Sequence, residues 1–396
     1  MFDSEVAAPE PKPAQVSPAP ATPRPSGLPQ RGGLPQRGGL PQRGGLPQRG
    51  GLPQRGGLPQ RARWLLVALA ALAVAALALS WSASASPRDL WSSDPVAREA
   101  ARRIFFVLRP PRVVAALLVG ANLAAAGAAL QSAFRNSLAE PYLLGTSSGG
   151  ALGAALALWL QLNTSDSTSP VGGWAGIGMV SLFAWAGALG ASLLVSRLGH
   201  KSARSDGGGG LDRATLLLCG VALSSLLSAL MSLVTVLSPN ANLAQQLSFW
   251  LLGGLSEATW AHDAFLLISL LLGLMILLGS ARDLNATLLG DEEAQALGVD
   301  ARRLHRKLLL AASLMSATAV ATAGLIGFVG LLAPHAMRQI FGRNARSVMP
   351  ASALGGAILL GSCDALARSL WPPTEIPVGI LTALLGVPLF LWLVRK

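Results

Sequence analysis

Apolar runs of about 18 or more residues with no charge recur along the chain, separated by short polar stretches. A helix needs about 20 such residues to cross about 30 Å of hydrocarbon. Ten spans are predicted, near 64–82, 113–132, 143–162, 174–196, 214–237, 261–280, 306–325, 328–341, 349–367 and 377–394. The eighth is the shortest and is flanked by glycine. A large soluble helical core would need polar faces at helical spacing, and these runs show almost none. The pattern therefore predicts an all-α, polytopic membrane protein. Ahead of the second span, Asp94 and Pro95 read as N-cap and first residue of a short amphipathic helix.

Composition agrees, with 52% hydrophobic and 13% charged residues, against about 25% charged in a soluble domain. Residues 1–63 form a separate region. They hold six tandem copies of Gly-Leu-Pro-Gln-Arg between 27 and 61. Proline at every sixth position with flanking glycine opposes helix and sheet, so a disordered leader is expected before a ten-helix domain at 64–396. The leader carries nine basic and three acidic residues, half of the net charge of +12. Beside a first span, such charge sets orientation. With the N-terminus inside the cell, the predicted inner loops hold Arg135, Arg197, Arg282, Arg302 and Arg343, among others. The outer loops near 163–173 and 238–260 hold no Lys or Arg. This pattern predicts both termini in the cytoplasm of a multi-pass inner-membrane protein. The arginines of 88–112, and Arg368, break the rule and need another reason to exist.

Candidate chemistry is sparse. Cys219 and Cys363 lie in apolar runs, and His200, His262, His305 and His335 are scattered. No metal site, cofactor site or catalytic constellation is expected. Ion-coupled transporters place ionisable groups within the membrane, and the predicted spans hold almost none. A P-loop needs Gly-Lys-Ser/Thr, whereas none of the four lysines follows a glycine. ATP-driven movement would need a separate ATPase chain pushing on an inner handle. The stretch GDEEAQALGVDARR, 290–303, is a candidate handle: a short helix delimited by Gly290 and Gly298, acidic at its N-terminus as the helix dipole favours. Ala294, Ala296 and Leu297 would offer a small apolar knob. An ordinary interfacial loop helix fits the same residues equally well.

Several long stretches together resemble the FecCD-type permeases of ATP-binding-cassette (ABC) importers: LRPPRVVAALLVGANLAAAGAALQSAFRNSLAEPYLLGTSSGGALG (108–153), FWLLGGLSEATW (249–260), ALGVDARRL (296–304), GLIGFVGLLAPHAMR (324–338), MPASALGG (349–356) and EIPVGILTALLGVPLFLWLVRK (375–396). Their order and spacing carry the likeness, which runs from about residue 64 to the C-terminus. It implies a ten-helix, non-enzymatic subunit that pairs with a second permease, is driven by a cytoplasmic ATPase dimer and receives cargo from a periplasmic binding protein. A ferric siderophore is the first expectation for the cargo, with cobalamin or haem as alternatives. The resemblance makes Gly290, Glu293, Ala294, Leu297 and Gly298 the ATPase-coupling residues. It makes Arg109, Arg112 and Arg368 docking charges for the binding protein, in place of snorkelling side chains. Departures from the family pattern are Pro110, Ser137 and Glu257, the last at the outer mouth, where it would tune the gate or the cargo or be simply solvated. His335 is expected to make a structural hydrogen bond in a tight turn.

Overall fold

The computed structural model describes residues 59–80, 91, 93–163, 177–205, 213–240, 242–371 and 374–395. The leader up to residue 58 lies outside them. Among the described residues the secondary structure is helical: α1 Gln60–Ser80, α2 Pro95–Arg103, α3 Arg109–Phe134, α4 Thr146–Asn163, α5 Met179–Ser205, α6 Arg213–Leu237 and α7 Asn242–Leu251. There follow α8 Trp260–Gly279, α9 Ala281–Ala286, α10 Asp291–Ala296, α11 Ala301–Ala323, α12 Val329–Phe341, α13 Ala345–Ser369 and α14 Val378–Val394. Each of the ten predicted spans coincides with one helix. Helix α1 starts at Gln60, so the last residues assigned to the leader are helical. The sequence reading missed α7 and α9.

Among the described residues six helices are long and apolar enough to cross a bilayer, and α4 and α14 contain shorter apolar stretches. Helix α11 misses that composition because its first two turns carry Arg302, Arg303, Arg306 and Lys307 and its interior is rich in Ser and Thr. Its Ser313, Ser316 and Thr318 are buried and answered within the bundle. Helix α12 has 13 residues, about 20 Å at 1.5 Å per residue, less than the hydrocarbon thickness.

The core is built on α3, α11 and α13. Small residues bring backbones together: a Cβ on Gly127 would lie 1.8 Å from the Gly330 oxygen. By contrast, α1 and α6 expose most of their apolar side chains, including Leu65, Leu72, Leu218 and Val236. Asp94 caps α2 as predicted, its side chain accepting from the Val96 amide at 3.0 Å. Between α2 and α3 the chain makes a π-helical turn, Ile104–Leu108. Pro110 and Pro111 follow it at once and supply no amide hydrogens, which explains a change of winding at this joint.

Two irregular segments meet inside the bundle. Pro141 packs on Gly330, which faces Gly127, seven residues or about 10 Å from the end of α3. Non-helical backbone at such depth needs its polar groups answered by protein. Tyr142 Oη donates to the Ile326 oxygen and accepts from the Ile326 amide, both at 2.8 Å. Glu140 Oε1 accepts from the amide of Phe328 at 2.7 Å, which holds Phe328 in the left-handed region at φ 67°. Ser137 lies in the turn before this brace. His335 lies within α12, not in a turn, beside Gln339 at 3.0 Å.

Candidate functional site

Helix α10 ends in a Schellman motif. The Gly298 amide donates to the Gln295 oxygen at 2.9 Å, and the Val299 amide to the Ala294 oxygen at 2.9 Å. This needs Gly298 in the left-handed region, at φ 82°. At the other end Gly290 has φ 146°, and a Cβ there would lie 1.9 Å from Glu293 Oε2. Glu293 is the third residue of the helix, where an acid reaches back towards the cap. Asp300 then caps α11 by accepting from the Arg303 amide at 3.0 Å. That hydrogen bond holds the Asp300 carboxyl below the usual carboxylate range.

The predicted knob is partly inverted. Ala294 is buried, because it is the inward position of the motif. Leu297 is 66% exposed and is joined by Leu288 and Leu289, which the sequence reading missed. Three exposed leucines on one short helix and its lead-in offer an apolar surface to a partner.

Three ties brace the segments that flank α10. Arg135, at φ 49° beyond the end of α3, donates to the Thr287 oxygen at 2.9 Å. His305 on α11 lies 3.0 Å from the Ala133 oxygen of α3. Asn285 on α9 donates to Asn344 Oδ1 at 3.1 Å and accepts from the Ala345 amide at 2.9 Å. The segment before the short helix is thereby fastened to α3 and to the start of α13, and the helix after it, α11, to α3.

Helix α3 has 26 residues, about 39 Å, and carries two of the predicted docking arginines, Arg109 and Arg112, at its far end, with Arg368 on α13 beside them. There Arg112 Nη2 lies 3.1 Å from Asp364 Oδ1, and Nη1 lies 2.6 Å from Glu375 Oε2. Arg368 Nε lies 3.1 Å from the other Asp364 oxygen. Arg368 and Arg109 also donate to the last carbonyls of α1, Ala78 at 2.9 Å and Leu79 at 3.1 Å. The Arg109 guanidinium stacks 3.9 Å over Phe105. Arg109 and Arg368 are buried and Arg112 nearly so. They are therefore not free surface charges: they cap α1 and bind α3 to α13. A cavity of about 870 Å³ opens beside them, with Phe106, Trp260 and Glu375 among its walls.

Asp364, the hub of this cluster, was missed by the sequence reading, although its spacing to Arg368 is the i, i+4 signature of a helical ion pair. The spans are also less empty of charge than expected. Asp263 on α8 is buried, and neither carboxylate oxygen has a hydrogen-bond partner among the described residues. Next to it, His262 meets Thr259 Oγ1 at 2.8 Å and Ser181 Oγ at 3.3 Å. No group of three metal-ligating side chains exists among the described residues.

The FecCD transport family model matches residues 64–396. The hemin transport system permease protein HmuU of Yersinia pestis is 38% identical over 338 residues, covering 84% of this chain and 92% of its own. The cobalamin import system permease protein BtuC of Halobacterium salinarum is 41% identical over 297 residues, 75% of this chain and 74% of its own. The vitamin B12 import system permease protein BtuC of Serratia proteamaculans is 38% identical over 321 residues, 81% of this chain and 90% of its own. An ABC transporter assigned to the metal-chelate type, solved in an inward-facing conformation, superposes with a TM-score of 0.71 at 33% identity, over 85% of this chain and 99% of its own.

Proposed function

This chain belongs to the FecCD transport family of ABC importer permeases, and from that premise we propose that it carries a bulky metal chelate inward across the plasma membrane. A ferric siderophore, a haem and a corrinoid are the cargo classes concerned. The names of the relatives above speak for haem and cobalamin. The chain does no covalent chemistry. Two copies of a separate ATPase drive it, a second permease completes the pathway, and an external binding protein delivers the cargo. The α10 end faces the cytoplasm, as the loop charges favour, and the arginine cluster faces outward.

The observation that carries this reading is the set of ties that fasten the two flanks of α10, α9 with its following turn and α11, to α3 and the start of α13. A six-residue helix moved by an ATPase would turn nothing if it hung on a loose loop. Held at both flanks by segments tied to the core helices, it passes a displacement on as a rigid body. Helices α3 and α13 then carry the motion to the outer arginines. Docking falls chiefly to Arg112, with Arg109 and Arg368 behind it. A carboxylate on the binding protein would compete with Glu375 for Arg112, an exchange of charge-assisted partners that gives register at an interface.

Purification of the full chain in mild detergent from its native cells tests the reading. The expected result is stoichiometric recovery of an ATPase with a P-loop, and ATP-dependent uptake of a metal chelate once the complex is in liposomes. Uptake that ignores ATP but collapses with the proton gradient would instead assign the chain to ion-coupled transport, with Asp263 the first residue to examine.

A further inference from the structure

A second cavity, of about 520 Å³, lies beside the arginine cluster and has the opposite charge. It is formed by the start of α5, the end of α7, the linker 254–257, the first turn of α8 and the end of α11. Ser256 lines both cavities, so the linker divides them. Phe249 and Trp250 supply an aromatic wall, and Gln246, Ser181 and Thr322 supply uncharged hydrogen-bonding groups. Glu257 is exposed at this wall. His262 has both ring nitrogens within hydrogen-bond reach of hydroxyl groups, Thr259 and Ser181.

Among the described residues no Lys or Arg lines this cavity, and the arginines across the linker are already engaged by Asp364, Glu375 and the carbonyls of α1. The sequence extends the point beyond the lining, with no Lys or Arg between Arg135 and Arg197, between Arg213 and Arg282, or between Lys307 and Arg338. Every segment that builds the cavity comes from one of these cation-free stretches. A carboxylate at the mouth of a low-dielectric cleft whose own described walls carry no Lys or Arg biases the local potential towards negative.

We propose that this cavity is a cargo-binding vestibule that selects by charge, with Glu257 as its specificity residue. It accepts metal chelates fringed by amides or ammonium groups and disfavours those fringed by carboxylates. The inference rests on the permease reading and narrows its substrate class. The aromatic wall takes the flat or apolar face of the chelate, and the uncharged polar groups meet its amides. Selection works through repulsion of the wrong partner as much as through attraction of the right one.

The test uses matched probes on the full-length chain in nanodiscs of uncharged lipid, without a binding protein to filter them. The probes are ferrioxamine B, which carries a free ammonium, and its N-succinyl derivative, which carries a carboxylate instead. A second pair is cyanocobalamin and its side-chain monocarboxylic acid. Quenching of tryptophan fluorescence reports binding. In each pair the carboxylate form should bind at least about threefold more weakly, a factor of ten in affinity corresponding to 1.4 kcal/mol. In Glu257→Gln the ratio should fall to about one, and in Glu257→Lys it should invert. A ratio that stays the same in all three proteins, or no quenching by any probe, overturns the proposal. The same preparation is then combined with the ATPase. ATP-driven uptake together with an unmoved ratio overturns the charge selection alone, whereas no ATP-driven uptake of any probe overturns the permease reading and the selection with it.

Discussion

Gly120 on α3 and Gly356 on α13 touch backbone to backbone: a Cβ on Gly120 would lie 2.2 Å from the Gly356 oxygen, and one on Gly356 2.1 Å from the Gly120 oxygen. The contact sits midway along the two antiparallel helices that join the arginine cluster to the α10 ties. Neither carbonyl can move aside without breaking its own helix. Gly120→Ala should therefore push the helices apart and lower the thermal stability of the detergent-solubilised protein, by about 1–3 kcal/mol as overpacking typically costs. Gly190→Ala is the matched control, because nothing lies within 4 Å of its Cβ position. Equal melting temperatures for the two variants would show that close approach is not what holds this pair.

Gly298 poses the opposite case. Its Cβ position is empty within 4 Å, so only its left-handed backbone constrains it within this chain. Gly298→Ala should cost about 1 kcal/mol in strain and leave transport measurable. Gly298→Arg should cost the isolated chain no more than that, yet project into whatever seats on α10. The expected outcome is a folded, inserted variant that no longer stimulates or retains its ATPase. Normal ATP-driven uptake by Gly298→Arg would mean that α10 is not the seat.

The two acids around Arg112 should differ in weight. Asp364 is buried and holds two arginines, whereas the Glu375 side chain is 48% exposed. Asp364→Asn leaves the buried Arg368 without a counter-charge and Arg112 with Glu375 alone, a change that typically costs about 3–5 kcal/mol. Glu375→Gln removes a half-exposed partner and should cost about 1 kcal/mol or less. Melting curves of the two variants in one detergent decide the point. A larger loss for Glu375→Gln would overturn the hub role of Asp364. Glu375→Gln should also tighten binding of an acidic docking protein, by freeing Arg112.

The spans were legible in the sequence because a bilayer demands long uncharged runs and little else has them. The turn at Gly290 and Gly298 was legible too, since glycine beside a helix end marks a backbone state that other residues resist. The direction in which Arg109 and Arg368 point was not. An arginine near a helix end reads the same whether it faces water or caps a neighbouring helix, and Ala78 lies 290 positions from Arg368. For the same reason Ala294 was read as part of an outward knob: the spacing of a six-residue helix does not say which face meets the core. Helix α7 was hidden by Gln245, Gln246 and the short polar run before it, which read as loop.

Tyr142 offers the sharpest test of the interior brace. Its hydroxyl serves both the amide and the carbonyl of Ile326, in a linker that joins α11 to the short α12. Tyr142→Phe keeps the ring and removes both bonds, leaving a buried amide without its partner, at a cost of about 1–3 kcal/mol. Glu140 would still hold Phe328, so the linker should loosen rather than unfold. Hydrogen exchange read by mass spectrometry should then show faster exchange at 324–328, with little change in α3 or α13. Exchange that rises equally in all three would mean that Tyr142 supports the whole bundle and not this linker. Unchanged exchange would mean that another group answers the Ile326 amide.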